Sequence, residues 1–96
     1  MSATDDPALR EFREQISVTD RAILDAVNTR LELVARIKAH KESRGVAFLD
    51  PERERTLLDD LAGANRGPLS TDGLRELFGA ILDLTKREVA DGGGPG

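Results

Sequence analysis

The sequence predicts an all-α protein of three helices, the first of which is very long. Two Asp-Pro pairs, at 6–7 and 50–51, each supply an N-cap followed by a proline at the first helical position. Apolar residues follow the first pair at alternating steps of three and four, and those after the second pair also share one face of a helix. Strand alternation, hairpin turns and internal repeats are not visible, so one long helix and two shorter ones account for the pattern.

The first helix is predicted to run from Pro7 to a C-terminal cap at Gly45, because nothing interrupts the pattern between them. That is about 37 residues or about 55 Å, whereas a compact chain of this size has a radius of gyration of about 12–13 Å. The inner seam of this helix consists of Leu9, Phe12, Ile16, Thr19, Ile23, Ala26, Arg30, Leu33 and Ile37. Arg30 is unexpected there, because a guanidinium on an apolar seam is costly unless something pairs with it.

Two shorter helices are predicted from Pro51 and from near 70–72, separated by a turn-rich linker at 64–73. The apolar face of the second helix is Leu57, Leu58 and Leu61. The third helix carries, at helical spacing, Leu74, Leu77, Phe78, Ile81 and Leu84. Residues 1–91 are therefore expected to form one helical domain, and residues 92–96 a flexible Gly-rich tail.

The length of the first helix predicts a homodimer. Helices of about 14 and 20 residues cannot cover both halves of a helix of about 37 residues. Two copies of the long helix would pair along their seams, with the shorter helices wrapped around them. An intertwined homodimer follows. A plain antiparallel coiled coil is the simpler alternative, but it leaves the polar residues of the inner faces unexplained.

Composition limits the chemistry of the chain. With no Cys and one His among 96 residues, thiolate metal sites and cysteine nucleophiles are excluded, and imidazole-based metal or triad chemistry is disfavoured. The net charge of −4 argues against nucleic acid as a partner, and 33% charged residues are too many for a membrane span. The acidic N-terminus lacks the apolar core of a signal peptide, so the cytoplasm is the expected location.

Long basic side chains are the candidate binding groups. Lys41 lies eleven residues after Arg30, nearly on the same helix face and about 16 Å further along the axis, so both cations can converge on one small molecule. Arg13 lies about 25 Å from Arg30, so only the Arg13 of a partner chain, in an antiparallel pair, can approach this site. A buried ion pair for Arg30, a solvated helix end for Lys41 and an exposed charge for Arg13 are the alternatives.

Polar residues outside the first helix are less informative individually. Asp50 has a structural role as an N-cap, and Arg53 and Glu54 beside it either face solvent or add polar contacts to a site. Thr85 continues the apolar face of the third helix, where a threonine is ordinary.

Taken together, the segments resemble the all-helical class of chorismate mutases. The resemblance covers residues 8–89 and rests on LREFREQISVTDRAIL, TRLELVARIKAHK, DPERERTLL and LFGAILDLTK. It implies a three-helix subunit in an intertwined dimer with two sites, each built from both chains. It also implies conversion of chorismate to prephenate, the committed step towards phenylalanine and tyrosine, without metal or cofactor.

The resemblance assigns four candidate catalytic residues by position. Arg30 and the Arg13 of the partner chain would bind the two carboxylates of the substrate. Lys41 would reach the ether oxygen and a carboxylate, and Glu54 would contact the ring hydroxyl. Such a site would hold the substrate in its compact, chair-like form and stabilise negative charge on the ether oxygen.

Four further positions complete the substrate-binding set that the resemblance implies. Asp50 would also contact the ring hydroxyl, and Arg53 would close the pocket. Thr85 falls where the family usually has serine, near the ring carboxylate. Val89 stands where the family normally has Gln or Glu on the ether oxygen, and valine cannot donate a hydrogen bond. Glu88 would supply a polar group there only after a small rotation of the helix end.

Other functions remain open from the sequence. A mutase for 4-amino-4-deoxychorismate would pair the ring amine with Asp50 and Glu54, and an isochorismate-pyruvate lyase of the same fold would use the same cations. A different class is a catalytically weak helical dimer that binds and regulates a larger shikimate-pathway enzyme, which Val89 favours. A nucleic-acid-binding dimer fits the acidic charge poorly.

Overall fold

The computed structural model describes residues 6–90 of the 96-residue chain. They form three α-helices, which are α1 (Pro7–Ser43), α2 (Pro51–Ala64) and α3 (Thr71–Ala90). Residues 6–90 contain no strand, so the predicted all-α fold class is confirmed, as are helix lengths of 37, 14 and 20 residues. Among these helices, none combines the length and apolarity that a membrane crossing requires. The predicted Gly-rich tail, 92–96, lies outside the described residues.

The chain divides into two compact units, residues 1–30 and 31–96. The described part of the first unit is the N-terminal portion of α1, and none of its residues is buried. The second unit contains the remainder of α1 together with α2 and α3. The buried residues of the described chain all belong to α3, and they are Leu74, Thr85 and Val89.

Each helix begins at a polar side chain that accepts a backbone hydrogen bond. Oδ1 of Asp6 accepts the N–H two residues on, at 2.8 Å. Oδ1 of Asp50 accepts the N–H three residues on, at 3.1 Å, and Oγ of Ser70 does the same at 3.0 Å. These acceptors satisfy N–H groups that have no partner inside the helix, which fixes where each helix starts.

α1 ends in a Schellman motif. Gly45 has φ of 67°, and its N–H donates to the carbonyl of Glu42 at 3.2 Å. The N–H of Val46 donates to the carbonyl of Lys41 at 2.9 Å. This left-handed conformation favours glycine, so the predicted cap at Gly45 is confirmed together with its physical reason.

α2 and α3 pack against each other in antiparallel orientation. Two ion pairs join them: Asp59 to Arg75 at 3.1 Å, and Glu54 to Lys86 at 2.8 Å. The linker between the two helices is shorter than the predicted 64–73, because Ala64 still belongs to α2 and Thr71 already belongs to α3. The remaining turn is held by Asn65, which donates to Leu69 at 2.7 Å and accepts the N–H of Gly67 at 3.1 Å.

Candidate functional site

An ion pair between Glu54 and Lys86 joins side chains of α2 and α3. Nζ of Lys86 lies 2.8 Å from Oε1 of Glu54, whose side chain is only 26% exposed. The hydrogen bond to Glu54 raises the pKa of Lys86; attraction to Glu54 and Asp83 acts in the same direction, and desolvation opposes it. Glu54 was a candidate from the sequence, whereas Lys86 was not.

Thr85 and Val89 lie one turn apart on the buried face of α3. Thr85 is 5% exposed, and its hydroxyl donates to the carbonyl of Ile81 at 2.7 Å, a bond that helical threonines commonly make. Val89 is fully buried, while Glu88 is exposed. In the helix as it stands, Val89 therefore faces the interior and Glu88 does not.

Two half-buried lysines near the end of α1 donate to backbone carbonyls within the second unit. Nζ of Lys41 donates to the carbonyl of Phe48 at 3.3 Å. Nζ of Lys38 donates to the carbonyl of Val89 at 3.3 Å and lies 3.8 Å from Oε1 of Glu42. An ammonium at the C-terminal end of a helix complements the helix dipole, so Lys38 stabilises the last turn of α3.

The two candidate arginines of α1 belong to the first unit. Arg13 is exposed and Arg30 is half-buried. They are seventeen residues apart on one helix, about 25 Å along its axis, so one chain cannot bring both guanidinium groups to one small molecule. Arg13 shares an open recess on one face of α1 with Arg10, Glu14, Ser17, Val18 and Arg21.

Asp50 and Arg53 are both exposed at the start of α2. Asp50 is the N-cap of that helix and accepts the N–H of Arg53 at 3.1 Å, so its predicted structural role is confirmed. A carboxylate has two oxygens with several lone pairs, so this cap does not prevent a further hydrogen bond to a ligand.

The structure thus brings Glu54 to the segment of α3 that begins at Thr85, through the adjacent Lys86. It leaves Arg13 remote from Arg30. Sequence reasoning missed Lys86 and Lys38. The hydrophobic pattern of α3 contained a signal for the first, because Lys86 directly follows an inward-facing residue and its long stem can reach a neighbouring helix.

Comparisons with known proteins agree with this fold. A family model described as "Chorismate mutase type II" matches residues 12–89. The chain is 33% identical, over 98% of its length, to a 4-amino-4-deoxychorismate mutase of Streptomyces pristinaespiralis, of which it spans 76%. It is 42% identical over 50 residues to a T-protein of Enterobacter agglomerans; this match covers 52% of the chain and 13% of that protein. Chorismate mutase form II of Thermus thermophilus superposes with a TM-score of 0.84 at 26% identity, covering 88% of this chain and 97% of that one.

The three-helix fold and these matches define an all-α isomerase. The chain belongs to the type II chorismate mutase family, because the family model spans residues 12–89, well over half of its length. The resemblance found in the sequence is thereby confirmed.

Proposed function

We propose that this chain converts chorismate to prephenate, in the cytoplasm. The reaction is unimolecular and pericyclic: a C–O bond breaks as a C–C bond forms. The observation that carries the proposal is the family match over residues 12–89, because it includes every candidate site residue from Arg13 to Val89. The reaction needs no nucleophile or proton transfer, so positioning and electrostatics must supply the catalysis.

Three cations fix and activate the substrate in this proposal. Arg30 and the Arg13 of the partner subunit bind the two carboxylates, since planar guanidinium groups bind carboxylates through two hydrogen bonds. Lys41 stabilises the negative charge that develops on the ether oxygen, for which a compact ammonium is suited. The hydrogen bond from Lys41 to the carbonyl of Phe48 supports this role, because it holds the ammonium in place before substrate arrives.

The ring end of the substrate meets α2 and α3. Glu54 and Asp50 accept hydrogen bonds from the ring hydroxyl. Arg53 closes the pocket, and Thr85 lies near the ring carboxylate. Thr85 donates to the carbonyl of Ile81, so its hydroxyl must turn away from that bond in order to donate to the substrate. Val89 is placed near the ether oxygen by position, but it is apolar and fully buried, so it donates no hydrogen bond there.

The active assembly is an intertwined homodimer in this proposal, since each site needs an Arg13 from a second chain. Burial supports the dimer, because α1 has no buried residue. Large apolar side chains on its predicted seam are about half exposed or more: Phe12 59%, Ile16 59%, Ile23 56%, Leu33 50% and Ile37 49%. Fully burying one such side chain contributes about 1.5–3 kcal/mol of favourable free energy, so pairing with a second chain that buries several of them would contribute several times that amount.

A turnover assay with purified protein tests the function. We expect prephenate from chorismate, and a loss of about 10²–10³-fold in kcat/KM for Arg30→Ala, which removes one transition-state cation. Arg66→Ala, in the linker between α2 and α3, is the control and should keep the wild-type rate. Absence of prephenate formation by the folded protein would contradict the proposal. Activity that appears only with a larger shikimate-pathway enzyme would instead indicate a regulated complex.

A second candidate function is rearrangement of 4-amino-4-deoxychorismate. The observation that favours it is the 33% identity to the Streptomyces pristinaespiralis enzyme over 98% of this chain. The ring amine of that substrate would pair with Asp50 and Glu54. Running the assay with chorismate, its 4-amino analogue and isochorismate distinguishes both mutases from an isochorismate-pyruvate lyase.

A further inference from the structure

We propose that Lys86 is a specificity-determining, positioning residue that biases the site towards a ring hydroxyl and against a ring ammonium. It acts through Glu54, the group that would contact this ring substituent. The inference therefore rests on the proposed function. Neither spacing nor the family resemblance pointed to Lys86, and its role follows from the ion pair that joins α3 to α2.

The geometry ties Lys86 to Glu54 more closely than to its other acidic neighbour. Its Nζ lies 2.8 Å from Oε1 of Glu54 and 4.0 Å from Oδ1 of Asp83. The shorter distance is that of a charge-assisted hydrogen bond. Asp83 is 73% exposed and Glu54 26%, so the pair with Glu54 is the less screened by solvent.

The pairing leaves Glu54 able to bind a hydroxyl. Lys86 contacts Oε1 of Glu54, and the second carboxylate oxygen can accept a hydrogen bond from a hydroxyl. A neutral hydroxyl brings no charge, so the ion pair stays intact when it binds. The carboxylate of Glu54, polarised by Lys86, then accepts a hydrogen bond from the ring hydroxyl through its second oxygen.

A ring amine meets a different electrostatic environment. Alkylamines are largely protonated at neutral pH, so the 4-amino substrate brings a second cation to the same carboxylate. The ring ammonium must either displace the ammonium of Lys86 or bind beside it. Two cations that contact the same carboxylate are close enough to repel each other. Lys86 therefore penalises the amine selectively, while Glu54 alone would favour it.

A second ion pair in the same helix packing provides a matched control. Arg75 pairs with Asp59 at 3.1 Å and also joins α3 to α2, but these side chains are 46% and 72% exposed. Neither belongs to the proposed site. Neutralising Arg75 removes a comparable contact between the two helices without changing the charge beside Glu54.

The experiment compares kcat/KM for chorismate and for 4-amino-4-deoxychorismate in the purified full-length protein. Wild type should prefer chorismate. Lys86→Met, which keeps the apolar stem, should raise the ratio of amine to hydroxyl efficiency about tenfold, equivalent to about 1.4 kcal/mol, chiefly by lowering KM for the amine. Lys86→Arg should retain the wild-type ratio, and so should Arg75→Met.

A double-mutant test separates this role from a structural one. In a Glu54→Gln background, Lys86→Met should change the ratio clearly less than it does in the wild-type background, because the carboxylate that the two cations share is gone and only their direct repulsion remains. If Lys86→Met does not fold, Lys86→Gln removes the same charge and should give the same shift.

The outcomes distinguish the inference from the proposed function. Turnover of chorismate with an unchanged ratio in Lys86→Met or Lys86→Gln overturns the inference alone. A wild-type preference for the amine does so as well. A folded wild type that rearranges neither substrate overturns the proposed function and this inference with it.

Discussion

Replacing Val89 with glutamine should increase turnover of chorismate, because it restores an amide that the family normally places beside the ether oxygen. A hydrogen bond to charge that develops in the transition state can contribute about 2–4 kcal/mol. We expect a smaller gain, about tenfold or about 1.4 kcal/mol, because the neighbours of Val89 did not evolve to hold an amide. The substitution therefore tests whether the end of α3 belongs to the site.

The structure also sets the cost of this substitution. Val89 is 0% exposed, so a longer side chain must displace packed neighbours, which typically costs about 1–3 kcal/mol of folding free energy. The bond from Lys38 to the carbonyl of Val89 does not involve the side chain and should persist. We therefore expect Val89→Gln to be more active and less stable than wild type, a combination that urea denaturation and initial rates reveal together.

A control separates the amide from the added volume. Val89→Met has similar length without a hydrogen-bond donor, so it should lose stability to a similar extent and gain no rate. Glu88 provides the rival explanation, in which a rotated helix end already supplies a polar group. Because Glu88 is exposed, we expect Glu88→Ala to leave turnover unchanged.

Rates at several pH values complete the comparison. A carboxylic acid donor is lost on ionisation and an amide is not, so a contribution of Glu88 would fall with rising pH, whereas the gain from Val89→Gln would not. Equal rates for Val89→Gln and Val89→Met would refute the reasoning. The end of α3 would then lie outside the site, and the placement of Thr85 would fall with it.

Four further predictions concern assembly, the end of α1 and the interior of α2. Sedimentation equilibrium should show a dimer, and a folded monomer at micromolar concentration would contradict the intertwined assembly. Inactive Arg13→Ala and Arg30→Ala variants, refolded together, should regain activity through heterodimers with one intact site; confirmed heterodimers without activity would exclude sites built from both chains. Gly45→Ala should lower stability by about 1–2 kcal/mol, because φ of 67° strains any residue with a Cβ. Gly63→Ala, inside α2 with open space around its Cα, should instead stabilise the fold by up to about 1 kcal/mol.

The helix boundaries were predictable because each depends on residues close in sequence. Asp6 and Asp50 cap their helices through N–H groups two or three residues away, and Gly45 ends α1 through its own backbone conformation. The predicted linker, 64–73, overlapped the predicted start of the third helix, near 70–72, because Ser70 and Gly73 both favour turns. In the structure Ser70 accepts the N–H of Gly73, and the helix begins between them.

The contacts that shape the site could not be read from the sequence. Lys86 meets Glu54, and Lys38 meets the carbonyl of Val89, only because distant segments pack together. Local periodicity carries no information about such pairs. The burial of Val89 likewise depends on what packs over α3. Its position at the end of an apolar face was visible, but its complete enclosure was not.

Lys41, at the end of α1, makes two hydrogen bonds to the connector that follows the helix. The carbonyl of Lys41 closes the Schellman motif by accepting the N–H of Val46, while its side chain donates to the carbonyl of Phe48. The length of the connector from 41 to 48 is therefore constrained, because it determines both where α1 ends and where the ammonium of Lys41 is held. Surface connections usually tolerate an added residue. Here one extra residue would shift the carbonyl of Phe48 away from Lys41, so this connector should resist insertions that the linker at 65–70 accepts.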